Sequence, residues 1–149
     1  MATPSETTEP ASAEPAASHA CDPVLERLIV LVNKTGISFH IMLQVRGLAV
    51  YGELITAQGY WETQSEHIAK YEAPDPGAAA AKDGLAKAFA ALAGSVADAL
   101  KQGHGAAAHI HLRDALIIVP GERIEVPLWR GRLSSVDAFV IGRRGPDED

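Results

Sequence analysis

The sequence predicts one α+β domain: an N-terminal helix, a small curved β-barrel or roll, and a helical insertion within the β portion. Three observations predict it. A capped apolar helix pattern opens the folded part. Period-two alternation occupies 37–54 and returns after 109. Between these, from about 59 to 104, the apolar residues recur at helical spacing.

Asp22-Pro23 opens the first helix, since an Asp side chain caps free amides and Pro tolerates the first helical turn. Val24, Leu25, Leu28, Ile29, Leu31 and Val32 form its apolar face, and Gly36 supplies the stop. The period then changes. Ile37, Phe39, Ile41, Leu43 and Val45 alternate with Ser38, His40, Met42, Gln44 and Arg46, which predicts a half-buried strand. Arg46-Gly47 marks a tight turn into a second strand through Leu48, Val50 and Leu54. Gly52 within it predicts a bend or bulge.

In the insertion, Tyr60, Trp61, Gln64, Ile68 and Tyr71 lie near one helical face, and Pro74 to Gly77 break the helix. A second helix follows, with Leu85, Phe89, Leu92, Val96 and Leu100 as its apolar stripe among many alanines. Strands resume at His109–Arg113 and Ala115–Val119, turn at Pro120-Gly121, and continue through Ile124, Val126 and Leu128. Pro127 predicts an edge or irregular position. Trp129–Leu133 is read as a further strand with a bend-permitting Gly131, and Ser134-Ser135 turns into Val136–Ile141. Five or six short, bent strands after a helix are the outline of an Sm-like or SH3-like barrel or open roll.

The chain has 149 residues, enough for one ordinary domain. Residues 22–144 are assigned to it. Residues 1–21, built of Ala, Pro, Ser, Thr and Glu, and residues 145–149 are expected to be disordered tails. The strand portion alone is small for a stable core, so packing of the insertion or association into a homo-oligomer is expected. No apolar run reaches the roughly 18 residues of a membrane span, and no secretory signal is recognisable. A cytoplasmic location, without membrane association, is the expectation.

Composition narrows the chemistry. Lys and Arg total 13 against 19 Asp and Glu, a net charge of −6, which disfavours a nucleic-acid phosphate backbone as partner. One cysteine, Cys21, excludes an internal disulfide framework and a Cys-rich zinc site. There is no Gly-rich phosphate loop, no Cys-x-x-Cys and no His-Glu-x-x-His, so no cofactor is expected. His109 and His111 share a strand face, and His40 can lie on a neighbouring strand. Two histidines are a weak basis for a metal, which wants three or four ligands. Glu53, Asp114 and Asp137 are the carboxylates from which a hydrolytic pair could be drawn, but turn capping or ion pairing accounts for each more simply. Ser134 and Ser135 lack a nucleophile-elbow setting. Catalytic residues are therefore not assigned.

The arginines are the strongest local charge feature. Arg113, Arg123, Arg130, Arg132, Arg143 and Arg144 all fall in the last 37 positions. Arg130 and Arg132 share a strand face, with Arg113 expected near them, and arginine forks pair well with carboxylates. With Tyr60 and Trp61 as aromatic anchors, these five residues are the candidate partner-binding set.

Two long stretches resemble a known family. The helix Val24 to Lys34, the run Gly36-Ile37-Ser38 into the first strand, and Gly52-Glu53-Leu54-Ile55 are similar to gas vesicle protein U. So are Ile110 to Ala115 and Leu128 to Gly142, with the run Trp129-Arg130-Gly131-Arg132 and the strand Val136-Asp137-Ala138-Phe139 as the most specific parts. The resemblance covers roughly 24–72 and 106–142. It implies a non-enzymatic accessory protein that assists or regulates vesicle assembly or clustering. The partners it implies are the vesicle shell or other accessory proteins. The N-terminal tail and the Ala-rich insertion stand outside it. The alternative from the residues alone is an Sm-like ring that binds single-stranded RNA through its arginines.

Overall fold

The computed structural model describes residues 21–103 and 108–142 of the chain. The two expected tails, apart from Cys21, lie outside the described residues. So do Arg143 and Arg144.

Helix α1 (Pro23–Thr35) starts where the sequence caps it. The Asp22 carboxylate accepts the Val24 and Leu25 amides at 2.8 and 3.3 Å, and Gly36 closes the helix in the left-handed conformation at φ 71°. Its buried seam is narrower than expected. Leu25, Ile29 and Val32 are buried, while Val24 and Leu31 remain about half exposed. Each fully buried side chain of this size is worth roughly 1.5–3 kcal/mol.

Strands β1 (Phe39–Val45) and β2 (Leu48–Leu54) form a hairpin in which Val45 faces Leu48. Arg46 and Gly47 both have positive φ, 49° and 83°, the geometry of the two-residue turn that matches strand twist. Ile37, the first residue of the sequence alternation, precedes β1 and is 53% exposed, because its amide turns back to the Thr35 hydroxyl at the helix exit. The chain then makes α2 (Ala57–Ala69) and α3 (Pro76–Lys101), returns as β3 (His109–Val119) and β4 (Glu122–Arg132), passes through a 3₁₀ turn (Leu133–Ser135), and ends in β5 (Val136–Ile141). The segments read as separate strands around Arg113 and around Leu128 are continuous, in β3 and β4 respectively.

The sheet is antiparallel with order β4-β3-β2-β1-β5. It is open: β4 and β5 are not paired, so of the two forms expected, barrel or roll, the closed barrel is corrected. Pro127 stands opposite Asp114 at the middle of β4, and the chain leaves β4 by a 3₁₀ turn whose Leu133 amide is donated back to the Ala108 carbonyl at 3.0 Å. The sheet is nevertheless coiled. Arg132 pairs with His109 at one end of the strands, whereas Val136 pairs with Val45 at the other. In a flat sheet these points would be four strand spacings, about 19 Å, apart laterally alone. Four residues reach at most about 14 Å.

The coiling is localised. On β3 the core-facing positions change from Ile110 and Leu112 to Ala115 and Ile117, from even to odd. On β4 they change in concert from Val126 to Trp129. Asp114, at φ 48°, and the register shift between Tyr51 and Glu53 of β2 mark the bend. Gly52 stands in that shift, where a Cβ would lie 3.0 Å from the Leu112 Cβ and 3.2 Å from the Arg113 carbonyl oxygen. The core fills the concave side. It comprises α1 with Ile41, Leu43, Val50, Leu54, Ile110, Leu112, Ala115 and Leu133, flanked by Trp129, Val136 and Phe139.

Gly131 has a different task. The Trp129 indole folds across it, and a Cβ at Gly131 would fall 2.2 Å from the ring. Gly131→Ala is expected to displace Trp129 from the core margin and to destabilise the fold by about 1–3 kcal/mol, read as a lower urea midpoint at unchanged slope.

Candidate functional site

The helical insertion begins two residues earlier than expected and is bound to the sheet through one aromatic and cationic cluster. Thr56 caps α2 by accepting the Gly59 amide at 2.9 Å, and the Asn33 side chain of α1 accepts the Ala57 amide at 2.9 Å. These contacts fix the helix entry so that Tyr60 and Trp61 meet the convex face of the sheet. Tyr60 is buried, with its ring 4.8 Å from the His111 imidazole and 5.0 Å from Trp61 in an edge-on arrangement. Trp61 also packs on Phe89 of α3 at 5.4 Å, and Ser65 donates to the Ala86 carbonyl at 2.8 Å.

α3 therefore packs on α2 with Phe89, Ala93, Val96 and Leu100 buried or half-buried, while Leu85 and Leu92 are exposed. The single leucine stripe read from the sequence is split between two faces. α2 is half the length of α3 and covers only a narrow seam.

Arg130 closes the cluster from β4. Its Nε–H donates to His111 Nε2 at 3.2 Å, and its guanidinium lies 5.4 Å from the Trp61 ring centre. This hydrogen bond assigns the neutral His111 tautomer with its proton on Nδ1. Burial holds the His111 pKa down at about 4, with the Arg130 and His109 charges adding to the effect. His109, one row away, is also held below its ordinary value by burial and then by Arg130 and Arg132. Arg132 is exposed beside it, opposite His109 in the ladder. The geometry thus brings together Tyr60, Trp61, His109, His111, Arg130 and Arg132 at one end of the sheet, along the free edge of β4.

Arg113 belongs elsewhere. It grips Glu53 with two hydrogen bonds of 2.7 Å, and the Ser38 hydroxyl donates to the same carboxylate. Those Arg113 bonds, with further help from Ser38, hold the Glu53 pKa down at about 2. The pair is solvent-facing and contributes modestly to stability. Its charge is matched within the chain, which leaves Arg130 and Arg132 as the arginines of the set without a carboxylate among the described residues. The remaining sequence candidates have local roles. Asp137 accepts the Arg46 amide at 3.0 Å and holds the β1–β2 turn, and Asp114 forms the bend. Among the described residues no group of three or more His, Cys, Asp or Glu is arranged to hold a metal ion. His111 has its Nε2 lone pair committed to Arg130. His40 lies beside Glu53 rather than beside the other two histidines.

The fold and this site are joined by a comparison that spans nearly all of the described chain. The family model described as "Gas vesicle protein GvpU-like" matches residues 22–144. The chain belongs to the GvpU-like gas vesicle protein family. No curated protein and no solved structure matches it. The GvpU-like match includes α3, which lies outside the stretches of sequence resemblance, so the helical pair lies within the family's own extent. Among the described residues no helix is long and apolar enough to cross a membrane.

The buried imidazole makes stability depend on pH in a defined window. The unfolded chain takes up a proton at His111 near pH 6.5, and the folded chain does so only near 4. Stability is therefore full above pH 6.5 and falls between 6.5 and about 4, by up to roughly 1.4 kcal/mol per pH unit. His111→Gln keeps an acceptor for Arg130 and cannot titrate. Its urea midpoint is expected to be flatter over that window than that of the unsubstituted protein. Glu53 contributes separately, below pH 4.5, in both proteins.

Proposed function

We propose that this GvpU-like protein is a non-enzymatic accessory factor that assists or regulates gas vesicle assembly or clustering by contacting an acidic surface on the vesicle shell or on another accessory protein. The observation that carries the reading is the family match over residues 22–144, which associates the whole α+β unit with gas vesicles. The site adds a contact surface. Arg130 and Arg132 present cations along an unpaired strand edge in a chain whose net charge is −6. Trp61 supplies a half-buried aromatic next to them. Arginine forks beside an indole suit recognition of carboxylates. Tyr60, buried against His111, anchors α2 rather than a partner.

The RNA-binding alternative draws less support. Within the arginine cluster the Trp61 ring is already packed by the Arg130 guanidinium and by Phe89, so it offers a base little free surface to stack on.

Flotation with intact gas vesicles tests the proposal. The protein is expected in the buoyant layer at low salt and progressively less there as salt rises. Arg132→Glu, which spares the Arg130–His111–Trp61 cluster, is expected to weaken apparent affinity about tenfold. A protein that stays in the subnatant at every salt concentration overturns the vesicle reading. An Arg132→Glu variant that floats as well as the parent removes this patch from it.

A further inference from the structure

The two edges of the open sheet differ in kind. β4 carries the features that keep an edge from pairing: Pro127 at its middle, the bend at 126–129, and Glu122, Arg123, Glu125, Arg130 and Arg132 along its length. β5 carries almost none of them. Its sequence, Val136 to Ile141, has no proline, no glycine and no lysine. Its one charge, Asp137, is already turned onto the Arg46 amide. Ala138, Val140 and Ile141 are exposed, the last two at 55% and 56%.

The direction of the free backbone groups follows from one bond. The Gly142 amide donates to the His40 carbonyl at 2.9 Å. In an antiparallel ladder the groups alternate, so Val140 also turns its N–H and C=O toward β1, while Phe139 and Ile141 turn theirs to the open side.

We propose that the β5 edge is an interface for a second copy of this chain, paired antiparallel about a two-fold axis at Val140. In that register Phe139 and Ile141 of one copy exchange main-chain hydrogen bonds with Ile141 and Phe139 of the other. Over the paired residues 139–141 the contact is self-complementary and carries no charge. Val140 meets its own copy across a closely spaced, non-hydrogen-bonded position. Ile141 lies opposite the aromatic ring of Phe139, a favourable cross-strand pair. The absence of a readable charge argues for a second copy over an acidic or basic partner. The protected β4 edge argues for an isologous pair of β5 strands over a head-to-tail ring. The two open sheets become one continuous sheet with the cationic β4 edges at its two outer limits. The proposal is independent of the gas vesicle reading.

Light scattering after size exclusion, on the full chain, tests it. The expected mass is about twice 15.7 kDa. Ile141→Pro removes an amide that faces away from β1 and is tolerated on an edge strand. It is expected to give a monomer with an unchanged circular dichroism spectrum. Should that variant lose its fold, Val140→Lys, at an exposed side chain, serves in its place. Val140→Cys in a Cys21→Ser background is expected to form a covalent dimer on oxidation, since two-fold-related positions of this type bring the α-carbons within disulfide range. A chain that stays monomeric at high concentration overturns the proposal and leaves the edge to another protein. An assembly of any size in which the Val140→Cys variant forms no disulfide between copies overturns it as well.

Discussion

The bend at Arg113–Asp114, answered by Pro127–Leu128 on the neighbouring strand, is the constraint on which the rest of the molecule depends. A strand that keeps its period presents the same residues to one face throughout. Here β3 changes face at Asp114, and β4 changes with it. The first half of β3 thereby shows His109, His111 and Arg113 to the convex side while Ile110 and Leu112 enter the core. The same change lets the second half bury Ala115 and Ile117 in that core. The coil that follows brings the end of β4 within reach of β5, so that Leu133 and Val136 can seal the hollow side with α1.

Most of the chain's local structure was legible in its residues. The cap at Asp22, the stop at Gly36, both two-residue turns and the strand Val136–Ile141 stand where composition and period put them. Those are features decided by neighbours in sequence. What could not be read was decided at long range. The continuity of β3 and β4 through their face changes required knowing that Asp114 and Pro127 lie opposite one another. The division of the α3 stripe depended on which face of α3 meets α2, the one carrying Ala86, Phe89 and Ala93. Whether the sheet would close depended on how β4 and β5 finally meet.

The site shows the same division. Arginine clustering and the aromatic pair Tyr60–Trp61 drew attention to residues that, Arg113 apart, the fold gathers at one end of the sheet, and the shared face of Arg130 and Arg132 followed from strand period alone. The partition among them did not. Glu53 claims Arg113, a pairing set by the β2–β3 register across 60 positions of sequence. His111, read as half of a weak metal pair, is instead a buried acceptor that joins Arg130 to the helical pair. A histidine flanked by core residues on both sides, Ile110 and Leu112, was the available signal that something would have to cover it.

The position of α2 and α3 within the chain has an architectural meaning of its own. They leave the sheet after Leu54 and return into a strand whose Leu112 is the register partner of Leu54. The exit and the re-entry are therefore one strand spacing apart, and the whole helical pair is, to the sheet, an enlarged hairpin loop. Such a port accepts cargo of almost any length at little topological cost, because loop closure grows only slowly with length. The sheet and α1 form a frame in which this module can be lengthened, shortened or exchanged. In this chain the module is tied to the frame at Asn33, at His111 beneath Tyr60 and at Arg130 beside Trp61.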